Sequence, residues 1–243
     1  QRELAVKLIN EGKIKIPVSE DGRTPNVKAV TWNDVLEALG IKTDLSPEES
    51  IKQLKEYNMS FLFAQQYHKA MKNVGKERKE LGTRTIFNLI GPLANPAPIR
   101  GQLMGIFDGD LVDKIGEVLV KLGIERGLVV HGEDGLDEIT TTSSTKVCEI
   151  CNGKTKVYKI SPEDFGIEKV SIEEISGGTP EENAEIILSI LKGQKGPKRD
   201  IVALNAGAAL FAGKKVDSIN DGFVLTNALI DSGKAYKKYQ QLK

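Results

Sequence analysis

The sequence predicts an α/β fold, a central mixed sheet wrapped by helices, on three observations. Leu111, Ile115, Val118, Leu119 and Leu122 share one helical face, Gly123 follows as a stop, and Gly127–Val130 then reads as a buried strand. Asn152-Gly153 separates two strand-like runs, Val147–Ile150 and Thr155–Ile160, in the strongest short pattern for an antiparallel hairpin. Thr179-Pro180-Glu181-Glu182 has the form of a helix cap and precedes Ala184, Ile187, Leu188 and Leu191, with Gly193 as the stop. Helix–strand alternation favours parallel pairing and the hairpin requires antiparallel pairing, so both are expected in one sheet.

The other elements follow in chain order. Residues 4–11 give a short helix pattern; Lys13–Val18 and Asn26–Ala29 alternate weakly around the turn residues Ser19-Glu20-Asp21-Gly22. Residues 1–30 therefore read as poorly specified, a segment that the family resemblance given below makes divergent or rebuilt, and residues 31–243 read as one α/β domain. Thr31-Trp32-Asn33-Asp34 opens a helix through Val35, Leu36 and Leu39 that Gly40 ends, and Trp32 is expected to anchor packing. Ser46-Pro47-Glu48-Glu49 starts the next helix in the same way. Met59–Ala64 is an apolar run of strand length. Asp200–Ala212 is apolar nearly all round, as a buried helix would be, and a final helix is expected from about Asp221 into the Lys-rich tail.

Composition narrows the partners. The 243 residues carry 34 Lys plus Arg against 34 Asp plus Glu, so no global field draws in nucleic acid or an anionic membrane. Any anion must be held by local positive charge, which points to small-molecule ligands. The two cysteines, Cys148 and Cys151, are too few and too close for a disulfide framework and fit a reducing, cytoplasmic setting. Their spacing is that of half a zinc site, but no second pair follows to complete four ligands, and the adjacent Asn-Gly turn favours a plain hairpin. No apolar run has the ~18–20 residues needed to span a bilayer.

Three places could carry chemistry. Between Phe61 and Pro96, cations stand beside turn residues: Arg78 and Arg84 could each grip a carboxylate or phosphate with a planar fork, and His68 could donate to the same anion or carry a proton. Taken by composition alone, Arg78 among Lys72, Lys76, Glu77, Lys79 and Glu80 better suits a solvated helix face, since most surface charges are simply solvated. Asp137 and Glu138 offer hard oxygen ligands suited to Mg²⁺ shared with a pyrophosphate. On a regular strand their side chains would point to opposite faces, so the pair must sit in a turn or serve two ions; an exposed acidic turn is the plainer alternative. His131, at the end of the strand 127–130, is expected to be structural.

The segments Phe61–His68, Leu81-Gly82-Thr83-Arg84-Thr85-Ile86-Phe87-Asn88 and Gly91-Pro92-Leu93-Ala94-Asn95-Pro96 resemble the central signature of the anthranilate phosphoribosyltransferases, within the superfamily they share with nucleoside phosphorylases. Similarity continues through Gln102–Ile106, Val129–Gly132 and Gly135-Leu136-Asp137-Glu138, so that nearly the whole chain from Trp32 looks family-like. The resemblance implies the family's large α/β domain, with its small helical domain missing or vestigial. It implies an anthranilate pocket in which Arg78 contacts the carboxylate, His68 lines the ring site and a Gly91-Pro92 turn forms the border. It also implies Mg²⁺ at Asp137 and Glu138, with phosphoribosyl pyrophosphate as the second substrate, in tryptophan biosynthesis. Lys69 departs from the family's usual proline after the histidine.

Other family features are not found. The phosphate-binding Gly-Thr-Gly-Gly-Asp loop, its following Ser/Thr stretch and the Lys-His-Gly-Asn segment do not occur among the 243 residues. A polyphosphate needs clustered backbone N–H groups of that kind. The helical domain that usually makes the family's homodimer contact is likewise unrepresented, save for Arg2–Glu11. A shortened or rebuilt derivative, a homologue that binds without transfer, and a piece of a longer active protein all remain open.

Overall fold

The computed structural model describes residues 32–62, 87–93 and 98–243. The expected helix at 4–11, the weak strands at 13–18 and 26–29 and the boundary at residue 30 lie outside the described residues, as do His68, Lys69, Arg78 and Arg84.

Helix α1 (Trp32–Ala38) ends as Gly40 foretells: φ is +75° there, and the Ile41 N–H reaches back to the Leu36 carbonyl at 2.9 Å. In α2 (Pro47–Tyr57) the capping box is complete, with the Glu49 N–H donating to Ser46 Oγ at 3.2 Å and the Ser46 N–H to the Glu49 carboxylate at 2.8 Å. Met59–Leu62 is irregular rather than a strand. A short apolar run does not distinguish strand from a loop laid on a core, and Phe61 packs there against a cluster of helices.

Helix α3 (Phe87–Leu93) contains Gly91 and Pro92 in its last turn, where a simple turn was expected. Leu89 and Leu93 explain the helix: both are buried in the core beneath it. Strand β1 (Gly101–Gly105) leads through a 3-10 turn (Gly109–Leu111) into α4 (Val112–Lys121) and β2 (Arg126–Gly132). β1 and β2 pair in parallel, while β3 (Thr145–Cys151) and β4 (Lys154–Ile160) continue the sheet antiparallel, in the order β1-β2-β3-β4 among the described residues. The sheet is mixed, as expected. Asn152 and Gly153 take φ of 49° and 78°, the left-handed values a two-residue hairpin loop requires.

Alternation along β2 and β3 divides the interior. Val129, Cys148 and Ile150 face α3 and α4 with Met104, Ile115 and Leu119, while Leu128, Val130 and Val147 face α7 (Pro197–Ala212) through Leu204, Ala208 and Phe211. Each face of the sheet thus has its own core, which is why the strands are apolar on both sides. Gly116 lets α4 sit directly on Cys148, since a Cβ there would clash with the Cys148 sulfur.

The remaining helices are α5 (Ile172–Ile175), α6 (Pro180–Leu191), α8 (Ile219–Asp231) and α9 (Lys234–Leu242). Thr179 and Glu182 form the expected box on α6. The single C-terminal helix expected from Asp221 is two helices, broken at Gly233 with φ +72°. That break lets α9 turn back so that Tyr239 packs with Val35, Leu36 and Ala184 and donates its hydroxyl to the Leu39 carbonyl at 2.8 Å.

Candidate functional site around the acidic loop

The carboxyl ends of the parallel strands β1 and β2 open on one side of the sheet, where ligands commonly bind in α/β folds. The long β2–β3 connection, residues 133–144, occupies that edge and carries Asp137 and Glu138. Both acids lie in a bend, not on a strand, so strand alternation does not hold their side chains on opposite faces.

Asp134 folds this loop. Its carboxylate accepts from Thr140 Oγ1 at 2.5 Å, from Thr142 Oγ1 and from the Leu136 N–H at 3.0 Å. Burial pushes the Asp134 pKa upward, but the two threonine hydroxyls and the backbone N–H donors outweigh it, leaving the group below its ordinary value. Asn205, on α7, holds the other side of the acid pair: the Ile139 N–H donates to its Oδ1 at 3.0 Å and its Nδ2 donates to the Ile139 carbonyl at 2.8 Å. From below, Gly105 leaves space for the Asp137 backbone to cross the end of β1.

Asp137 and Glu138 are exposed, and no described Lys or Arg forms an ion pair with either. Crowding by surrounding protein, then the Asp137 and Asp134 charges, raise the Glu138 pKa above its ordinary 4.5. An uncompensated acidic set of this kind suits a hard cation. Two carboxylates cannot complete six oxygen ligands, so the remaining ligands must come from water or an anionic partner.

Gly91 and Pro92 meet the same strand from its opposite face. Gln102 Nε2 donates to the Pro92 carbonyl at 3.4 Å, on the side of β1 that carries Met104, whereas Asp137 crosses at the Gly105 position, on the other side by strand alternation. No described atom lies within 4 Å of a Cβ built on Gly91. Asp137 and Glu138 share one bend of the β2–β3 connection, and the Pro92 carbonyl is linked to Gln102 on the opposite face of β1. Cys148 and Cys151 do not converge: one is buried and one exposed on opposite faces of β3, and no group of three metal-ligating side chains occurs among the described residues. His131 is tied by Nδ1 to the Ile106 carbonyl at 2.9 Å, a strand-end contact. No described helix is long and apolar enough to cross a membrane.

Asp134, Asn205 and Gly105 were not singled out by sequence. Asn205 offered one signal, a polar amide inside an otherwise apolar helix, and Asp134 another, an Asp-Gly turn before a run of hydroxyl residues.

Residues 28–236 match the family described as "Glycosyl transferase family, a/b domain". The chain is 51% identical over 226 residues to the anthranilate phosphoribosyltransferase of Methanobrevibacter smithii, covering 93% of this chain and 68% of that one. The chain belongs to the anthranilate phosphoribosyltransferase family. Its likeness to the enzyme of Clostridium beijerinckii reaches 60% identity over 209 residues, 86% of this chain and 62% of the relative. The chain thus spans roughly three fifths of the length of that curated relative. Among solved structures, the anthranilate phosphoribosyltransferase of Saccharomyces cerevisiae in complex with PRPP and Mg superposes with a TM-score of 0.80 at 25% identity, covering 87% of this chain and 61% of that one. The mixed sheet with helices on both faces is the α/β architecture of this family.

Proposed function

We propose that this chain carries the acceptor and metal sites of an anthranilate phosphoribosyltransferase, which joins the phosphoribosyl group of phosphoribosyl pyrophosphate to the amine of anthranilate in tryptophan biosynthesis. The observation that carries the proposal is the acidic loop: Asp137 and Glu138 stand in one bend at the carboxyl ends of parallel strands, without cationic partners among the described residues. The yeast enzyme of the same fold is known with PRPP and Mg bound, which supports assigning Asp137 and Glu138 to Mg²⁺.

Arg78 orients the anthranilate carboxylate through its planar fork, His68 lines the ring site, and Gly91 and Pro92 border it. These four assignments rest on the family resemblance. The acceptor nitrogen is a neutral aryl amine, so the protein needs no strong base. Its work is to hold that nitrogen in line with the sugar carbon while pyrophosphate departs. Bound Mg²⁺ supplies charge neutralisation on the leaving group. Asp137 and Glu138 fix where that charge sits, and the loop ties to Asp134 and Asn205 keep the carboxylates from collapsing onto other partners.

A second reading is binding without turnover, since the residues named here would hold an acceptor and a cation whether or not transfer follows. Decay of anthranilate fluorescence in the presence of phosphoribosyl pyrophosphate and Mg²⁺ separates the two. Decay proportional to protein concentration supports transfer. Anthranilate binding with no decay above background, even at high protein concentration, leaves only the binding role.

A further inference from the structure

We infer that Asn205 is a positioning residue for the metal-binding loop, acting through the backbone of Ile139. The inference rests on the assignment of Asp137 and Glu138 to a divalent cation. Asn205 sits on α7, 66 residues away in sequence from the residue it grips. Its amide presents one acceptor and one donor, and the Ile139 backbone presents the complementary donor and acceptor, so both bonds form across a single peptide position. A third bond, from Nδ2 to the Ile201 carbonyl at 3.0 Å within α7, fixes the amide's orientation.

Ile139 is itself buried, with its side chain in the core that α7 shares with Leu128, Val130 and Val147. Glu138 is therefore attached to a residue held by both its side chain and its backbone. On the other side Asp134 closes the loop through Thr140, Thr142 and the Leu136 N–H. Of these two restraints, only Asn205 connects the acid pair to a helix outside its own loop. A carboxylate ligand supported in this way keeps its place when the cation is absent, and outer contacts of this kind typically affect metal affinity by about 10–100-fold.

The test uses MnCl₂ with inorganic pyrophosphate, followed by paramagnetic broadening of the Leu136, Asp137 and Glu138 amide signals in the full chain. The native chain is expected to lose these signals before those of other exposed acids. Asn205→Ser should raise the Mn²⁺ midpoint about tenfold; Asn205→Gln, which keeps the amide on a longer arm, should fall between. Arg199→Lys disturbs the same helix six residues away and serves as the comparison for general loss of stability; its midpoint should stay native. A native midpoint in both Asn205 variants, or an equal shift in Arg199→Lys, overturns the positioning role while leaving the metal assignment intact. Absence of selective broadening in the native chain overturns the metal assignment and the inference together. Should Asn205→Ser not fold, the Asn205→Gln midpoint decides.

Discussion

The carbonyl carbon of Asp137 lies 2.6 Å from the point that a Cβ on Gly105 would occupy, and its oxygen lies closer still. Strand β1 and the acidic loop are thus in backbone contact, and glycine is the residue that permits it. Gly105→Ala is expected to push the loop off the strand and destabilise the fold by about 1–3 kcal/mol, in the range of other overpacked sites. Urea unfolding checks this, and a wild-type midpoint would show that the loop yields freely.

Arg199 is buried to 3% exposure, where it bonds Asn227 Oδ1 through Nε at 3.0 Å and through a terminal nitrogen at 2.8 Å, and the Gly193 carbonyl at 3.1 Å. It also pairs with Asp231 at 2.7 Å. Arg199→Leu strands these acceptors around an apolar side chain, and a loss of about 1–3 kcal/mol is expected in urea unfolding.

The Arg199 hydrogen bond holds the Asp231 carboxyl below its ordinary value of 3.8. Because the folded pKa is depressed, the unfolded chain binds the proton first on acidification. The pair's contribution is present above that ordinary value and is lost as pH falls through the folded pKa. Asp231→Asn should flatten this part of the acid-unfolding curve. An unchanged curve in the variant would remove Asp231 from the acid transition.

Burial, followed by the nearby carboxylates of Asp113 and Glu117, pushes the Cys148 thiol up to about 11, whereas Cys151 is exposed. Iodoacetamide at pH 8 is expected to add once to the folded chain, at Cys151, and twice after unfolding, as mass spectrometry would show. The same shift has a stability sign: the folded thiol keeps its proton longer than the unfolded one, so Cys148 lowers stability as pH rises from about 9 toward 11. Rapid double labelling of the folded chain would contradict the burial of Cys148.

Arg78→Ala is expected to weaken anthranilate binding by about 1.5–3 kcal/mol, the range for hydrogen bonds to charged groups. Fluorescence titration should therefore show a loss of roughly tenfold to a hundredfold. Equal affinity in the variant would remove Arg78 from the pocket.

Much of the fold could be read from local sequence because its signals are local. Gly40, Gly123 and Asn152-Gly153 require left-handed backbone, and Ser46 with Glu49 and Thr179 with Glu182 satisfy helix N-termini within four residues. The elements that differ depend on distant partners. Gly91-Pro92 is helical because Leu89 and Leu93 find a core, and the tail breaks at Gly233 because Tyr239 finds Leu39, 200 residues earlier. The same division holds at the site. Asp137 and Glu138 are proposed from a short family-like motif, but Gly105 and Asn205 reach the loop only through tertiary contact, which spacing along the chain does not encode.

Anthranilate consumption measured against Mg²⁺ concentration, for the native chain and for Glu138→Gln, tests the account most directly. Mg²⁺-dependent transfer is expected in the native chain, and Glu138→Gln, which removes a proposed ligand itself, should raise the Mg²⁺ needed for its half-maximal rate at least as much as loss of an outer contact does, about 10–100-fold. Transfer that is independent of Mg²⁺, or a variant with the native Mg²⁺ requirement, would contradict the placement of the metal at this loop.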